Sequence, residues 1–268
     1  MTTAKKVIYQ LDHRGVATLS LNRPELHNAF DDEVIELLRA YLQQIAEDPQ
    51  ARVLVLRSAG ENFSAGADLN WMRRMAANSP QQNMDDAMAL AELMQQLNSL
   101  PKPTIALVQG AAFGGAVGLA ACCDLVIAHT DSRFCLSEVK IGLIPAVISP
   151  YVIAAIGERQ ARRYFLTAEE FDGQQAQQMG LVHQLADDPT AADKLKDQWL
   201  QQLLNNGPAA VSAAKQLILD ISGRKTDPQL MQETAQRIAD IRISDEGQEG
   251  LSAFLNKRKP SWLPTGDT

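Results

Sequence analysis

The run Thr104-Ile-Ala-Leu-Val-Gln-Gly110-Ala-Ala-Phe-Gly114-Gly115-Ala-Val-Gly118-Leu-Ala-Ala-Cys-Cys-Asp124-Leu-Val-Ile-Ala128 changes its period twice. Thr104–Gln109 is a short, continuous apolar run, the pattern of a strand buried on both faces. Gly110 to Ala116 is a glycine-punctuated loop, Gly114–Cys123 reads as a helix, and Leu125–Ala128 returns to strand character. Thr104 to Cys123 carries no charge and is nominally long enough to cross a bilayer. Its glycines, Gln109 and the change of period argue instead for a strand–loop–helix unit, so no membrane partner is expected.

The same unit recurs upstream. Lys6–Leu11 and Val16–Leu21 flank His13-Arg14-Gly15 as a hairpin. Asp31–Glu47 repeats Val34, Leu37, Leu38, Tyr41, Leu42 and Ile45 at helical spacing, with acids in its first turn. Arg52–Ser58 reads as a buried strand, Ala59–Asp68 as a glycine loop, and Met84–Leu100 as a helix stopped by Pro101 and Pro103. The fold class expected is therefore α/β for roughly the first 150 residues. From Ser149 onward the pattern turns helical: 149–156, 158–166, 172–179, 190–205, 208–220, 228–242 and 245–256.

The chain has 268 residues, with 25 Lys+Arg against 32 Asp+Glu and a net charge of −7. Apolar residues at 46% and charged residues at 21% describe a globular chain with ample core. Its only basic run is Lys257-Arg258-Lys259, so nucleic acid is not an expected partner. Three cysteines without a C-x-x-C exclude a disulfide framework, which points to a reduced, cytoplasmic setting. Met1–Lys6 leads straight into a strand-like segment, so no secretory leader is expected.

Several chemistries fail on spacing. Ser58, Ser64 and Ser137 lie in no G-x-S-x-G elbow, and Phe113 stands where a dinucleotide fingerprint needs its first glycine. His13, His27, His129 and His183 are scattered, and no metal site is expected. Two glycine-rich loops remain, Phe63-Ser-Ala65-Gly-Ala67-Asp68-Leu69 and Gly110 to Ala116, each before a helix. Asp68 is placed to cap the helix that begins at Leu69. Backbone N–H groups from two such loops converge on one oxygen in an oxyanion hole, although tight turns alone would need the same glycines. Glu138 sits in the apolar segment Phe134 to Pro145, where desolvation would raise its pKa and suit it to acid–base work. A surface ion pair with Lys140 or Arg133 is the competing reading.

Taken together, five segments resemble the enoyl-CoA hydratase/isomerase (crotonase) family. They are Asn22-Arg-Pro-Glu25 with Asn28-Ala29, Phe63 to Asp68, Gly110 to Asp124, Phe134 to Pro145, and Glu249 to Pro260. The resemblance implies a crotonase-like ββα spiral core over 1–200 and a C-terminal helical trimerisation region over 201–268. It implies an acyl-CoA substrate with no separate cofactor, and homotrimers that pair into homohexamers. By position it places the oxyanion-hole N–H groups on Ala67 and Gly115, and the acid–base carboxylate on Glu138. It carries CoA contacts to His27, Ala65, Ala67, Asp68 and Leu69, and to Phe254 and Lys257 reaching a neighbouring subunit. A neutral His27 is a weaker phosphate partner than Lys or Arg.

One position departs from the pattern. Typical hydratases of the family hold water between two glutamates, but twenty positions before Glu138 stands Gly118. The missing side chain is expected to enlarge the pocket opposite Glu138, and points to a bulkier or branched acyl group. Gly110 to Asp124 and Phe134 to Tyr151 resemble more narrowly the bacterial 3-methylglutaconyl-CoA and isohexenylglutaconyl-CoA hydratases. Such substrates carry a distal carboxylate, for which Arg73, Arg74 and Lys140 are the candidate cations, and Trp71, Met72 and Met75 are candidate pocket residues. A Δ3,Δ2-enoyl-CoA isomerase needs only one carboxylate and stays open. So does an RNA-binding member of the family, which the −7 charge disfavours.

Overall fold

Alternate residues of two central strands face different cores. In β3 (Val53–Ser58), Val53 and Val55 point to one side of the sheet and Leu54 and Leu56 to the other; in β4 (Thr104–Val108), Ile105 and Leu107 oppose Ala106 and Val108. Burial on both faces is why these strands read as unbroken apolar runs. The computed structural model describes residues 5–263, so the first four and last five residues of the two expected regions lie outside it.

The larger sheet adds β1 (Val7–Leu11), β2 (Val16–Leu21), β6 (Leu125–His129) and β9 (Gln184–Ala186), in the order β1-β2-β3-β4-β6-β9. Only the β1–β2 hairpin is antiparallel. A smaller sheet, β5-β7-β8, contains β5 (Ala111–Phe113), β7 (Arg133–Cys135) and β8 (Phe171–Asp172). The chain passes from β4 to β5 to α4 (Gly115–Cys122), and from β6 to β7 to a 3-10 turn at Glu138–Ile141 and then α5 (Ser149–Thr167). These are ββα turns of a spiral. The expected loop at 110–116 therefore contains a strand, and the expected all-helical segment after Ser149 contributes β8 and β9. Both are too short to show a period.

On one face of the larger sheet, α1 (Asp32–Glu47), α3 (Pro80–Asn98), α4 and α5 enclose the main core. On the other, α7 (Pro189–Asn205) covers Val16, Val53, Val55, Ile105 and Ile127 through Leu200, Leu203 and Leu204. The expected boundary at 200/201 thus falls inside a core helix. Gly157, at φ +76, divides α5 where the spacing predicts two helices. Helix α4 is buried on every side, which accounts for the uncharged run, and no described helix is long and apolar enough to cross a membrane.

α8 (Pro208–Ile221), α9 (Pro228–Ile243) and α10 (Asp245–Leu255) form an arm that leaves Ile218, Met231, Ile243, Leu251 and Phe254 exposed. Lys215 anchors the arm: its buried ammonium donates to Asp124 Oδ2 at 2.8 Å and to the Lys102 carbonyl at 3.1 Å. Asp124 Oδ2 also accepts from Thr104 N–H and Oγ1. Replacing Lys215 with Met keeps the stem's packing but removes charged hydrogen bonds, each worth roughly 1.5–3 kcal/mol. Because Asp124 retains its Thr104 donors, the expected net loss is about 2 kcal/mol, read as a lower urea midpoint at unchanged slope.

Candidate active site

Two backbone bridges assemble the site. Ser64 N–H donates to the Ala111 carbonyl and Phe113 N–H to the Ser64 carbonyl, both at 3.0 Å, so the first glycine loop runs beside β5. Phe30 N–H donates to Gly66 O, and Asp68 N–H to Phe30 O, each at 2.9 Å. Since that bridge uses the groups on either side of Ala67, the Ala67 N–H turns to the opposite side, and Ala67 lines a cavity there. Gly66 holds φ +94, and a Cβ there would lie 3.1 Å from the Phe113 carbonyl oxygen, closer than such contacts normally come.

The second loop contributes through α4. Gly115 opens the helix, so its N–H is one of the donors that a helix leaves free. The Phe30 ring packs so closely on Gly115 that a Cβ would meet it at 3.0 Å. Ala67 and Gly115 line the same cavity, of about 470 Å³, and neither N–H has a hydrogen-bond partner among the described residues. Helix polarity adds partial positive charge at Gly115. The pair suits a thioester oxygen that gains negative charge.

Glu138 reaches the same cavity from the 3-10 turn after β7. Its Oε2 is buried and accepts no hydrogen bond, while Oε1 lies 3.2 Å from where a Cβ on Gly114 would stand. Burial pushes the Glu138 carboxyl above the usual carboxylate range, only partly countered by its own backbone N–H. The competing ion pairs do not form: Arg133 pairs with Glu170, and Lys140 approaches Cys135 Sγ at 3.8 Å. An unpaired, desolvated carboxyl facing a cavity with two free N–H groups is equipped to move a proton beside a polarised carbonyl.

Gly118 does not enlarge the pocket. A Cβ there would stand 2.2 Å from Ile148 Cγ2 and 2.7 Å from Ile148 Cβ, so the Ile148 side chain already fills the space. The expectation of a wider pocket is corrected accordingly: the missing side chain is replaced by a neighbour from the N-terminal end of α5. The three candidate cations also fall elsewhere. Arg73 bonds Asn70, Arg74 pairs with Asp32, and none of Arg73, Arg74 and Lys140 lines the cavity. Trp71, Met72 and Met75 do line it, beside Leu90 and Val147.

Among the residues assigned to CoA, Ala65, Ala67 and Leu69 lie on the cavity wall. His27 flanks them, its carbonyl accepting from Ala65 N–H at 2.9 Å and its Nδ1 lying 3.0 Å from Asn62 Nδ2. Asp68 is turned inward: it caps α2 (Leu69–Met75) by accepting from Asn70 and Trp71 N–H and pairs with Arg23 at 3.1 Å. Burial alone would raise its carboxyl, but the two N–H groups and Arg23 outweigh this and hold it below the usual range. Its role is to position the loop. Phe254, 82% exposed, and Lys257 are not brought to the cavity of their own chain. Missed from the sequence were Phe30, Ile148 and the clamp of Asn28, whose amide donates to the Ala59 and Asn62 carbonyls at 2.7 and 2.8 Å. The left-handed conformation of Asn28, at φ +53, leaves no signal beyond the residue type.

Comparison with known proteins gives this geometry a lineage. Residues 12–264 match the family model described as enoyl-CoA hydratase/isomerase. An enoyl-CoA hydratase structure from Shewanella pealeana superposes with a TM-score of 0.93 at 48% identity, covering 96% of each chain. The 1,2-epoxyphenylacetyl-CoA isomerase of Escherichia coli is 34% identical over 93% of this chain and 95% of its own. The trans-2-decenoyl-[acyl-carrier-protein] isomerase of Streptococcus mutans is 28% identical over 96% and 98%. The chain belongs to the enoyl-CoA hydratase/isomerase family, and its fold is the crotonase fold.

Proposed function

We propose that this protein hydrates a β-branched enoyl-CoA, with 3-methylglutaconyl-CoA of leucine degradation as the leading substrate and isohexenylglutaconyl-CoA as the alternative. The observation that carries the reading is the buried, unpartnered Glu138 Oε2 in one cavity with the free N–H groups of Ala67 and Gly115. The narrower sequence resemblance supplies the acyl class. Ala67 and Gly115 bind the thioester oxygen and draw electrons from the double bond. Glu138, ionised, takes a proton from water; the water oxygen bonds to the β-carbon, and electrons shift onto the thioester oxygen as an enolate. Glu138 then gives that proton to the α-carbon as the enolate collapses. One water supplies every atom added, and the step calls for no redox or metal group.

The apolar walls suit the branched part of such an acyl group. Among the described residues no cation lines the cavity, and Asp86 adds a second carboxylate to its wall, so a distal carboxylate would remain toward solvent, where Asn83 offers an amide donor. We place the enzyme in the cytoplasm as a homotrimer or homohexamer; the exposed apolar residues of α8–α10 support the association. A second reading, positional isomerisation, is favoured by the single unpartnered carboxyl in the cavity: Glu138 would remove an α-proton and return it at the γ-carbon. The trans-2-decenoyl-[acyl-carrier-protein] isomerase relative lends it weight.

Mass spectrometry separates the two. Hydration predicts a water adduct from 3-methylglutaconyl-CoA formed much faster than from crotonyl-CoA, whereas deuterium uptake without adduct would replace hydration by isomerisation. Glu138→Gln is expected to bind acyl-CoA esters but lose at least ~100-fold in kcat. Because the base must be ionised and burial raises its pKa, activity is expected to rise with pH through a midpoint above the ordinary carboxylate range. That limb is expected to be absent from the residual rate of Glu138→Gln; a limb that survives would assign it to another group.

A further inference from the structure

The wall of the cavity beside Glu138 is set by an interlock between two residues thirty positions apart, Gly118 and Ile148. Helix α4 carries Gly115 at its start and Gly118 three residues on, about 4.5 Å along the axis at helical rise. Gly118 is buried and does not itself reach the cavity; Ile148 packs onto it and does. With Cγ2 2.2 Å and Cβ 2.7 Å from the ideal Cβ position at 118, no side chain at 118 and Ile148 coexist in this arrangement. Met94 Cε, 3.4 Å from that position, closes the remaining side. A thioester oxygen held at Gly115 N–H places the α- and β-carbons of an enoyl group within about one helical turn of it, and Ile148, packed on Gly118 further along the same helix, lines the same cavity as Gly115 and Glu138.

We propose that Ile148 is a specificity-determining residue, which meets the β-carbon of the bound acyl group with a branched hydrocarbon wall and so selects β-alkyl over β-unsubstituted enoyl thioesters. A β-alkyl group packed on Ile148 leaves no apolar void there. Of the two carboxylates that line the cavity, Asp86 accepts from the Asn78 amide, while Glu138 Oε2 is buried without a partner. A straight-chain substrate leaves the same space empty or wet, and loses those contacts. This inference rests on the acyl-CoA reading above and names the feature of the substrate that the site recognises.

The test uses a matched pair, glutaconyl-CoA and 3-methylglutaconyl-CoA, which differ by the β-methyl alone. For the unaltered protein, kcat/KM is expected to favour the methylated ester by at least ~10-fold, the range open to one methyl in an apolar pocket. Ile148→Ala is expected to bring that ratio within ~3-fold of unity, and Ile148→Val, the smaller change, to lower it part-way. A purely structural role would depress both esters alike and leave the ratio where it was, which overturns the proposal. Should Ile148→Ala fail to fold, the Val variant decides by the same ratio. If the unaltered protein hydrates neither ester, the hydratase reading falls. The ratio of dissociation constants for butanoyl-CoA and 3-methylbutanoyl-CoA then judges Ile148 on binding alone, and a ratio insensitive to Ile148→Ala overturns it.

Discussion

The two hydrogen bonds that Ser64 makes with the strand around Ala112, from its N–H and to its carbonyl, are what the site depends on. They are ordinary in strength, each with a net worth of about 1 kcal/mol. Their importance lies in what they join: the first glycine loop, reached from β3, and the second, reached from β4. Where the loops lie side by side, Gly66 takes a positive φ, and the nearby Phe113 carbonyl leaves little room for a side chain. The Ala67 N–H then faces the cavity that the Gly115 N–H enters from the end of α4. Phe30 closes the arrangement, bonding to Gly66 and Asp68 with its backbone while its ring packs on Gly115.

Against that backbone, the proposed chemistry rests on a single side chain held in an unfavourable state. Glu138 Oε2 has neither cation nor donor, although Arg133 and Lys140 lie within a few residues along the chain. Each is engaged elsewhere. A paired Glu138 would be easier to bury and a poorer proton carrier, because a nearby cation holds a carboxylate ionised. Withholding the partners matters as much as supplying the acid.

How much of this was legible depends on how local each signal is. The α/β character, the two glycine loops, the capping Asp68 and the isolated acid Glu138 all announce themselves within a few neighbouring residues, and each takes the place its pattern implies. The strands at Ala111–Phe113, Phe171–Asp172 and Gln184–Ala186 were hidden because two or three residues cannot display a period. Ile148 was hidden for a different reason. Gly118 reads as an absence, and a sequence shows a missing side chain without showing what fills its space. The same holds for Arg73, Arg74 and Lys140: charge marked them as candidates, yet their partners Asn70, Asp32 and Cys135 draw them away from the cavity.

The composition of α4 ties these observations together. Glycine in a helix interior costs about 1 kcal/mol relative to alanine, so Gly118 works against the helix that contains it. The helix is nevertheless buried throughout, and its small residues are where neighbours approach most closely. Phe30 takes the space over Gly115, and Ile148 takes the space over Gly118. The first contact fixes the end of the helix proposed to polarise the thioester; the second fixes the cavity wall three residues along. Because both neighbours pack on the same short helix, the Gly115 N–H and the Ile148 wall are held in one register. Under the proposed reading, a thioester held at Gly115 N–H would carry its acyl chain along that same wall.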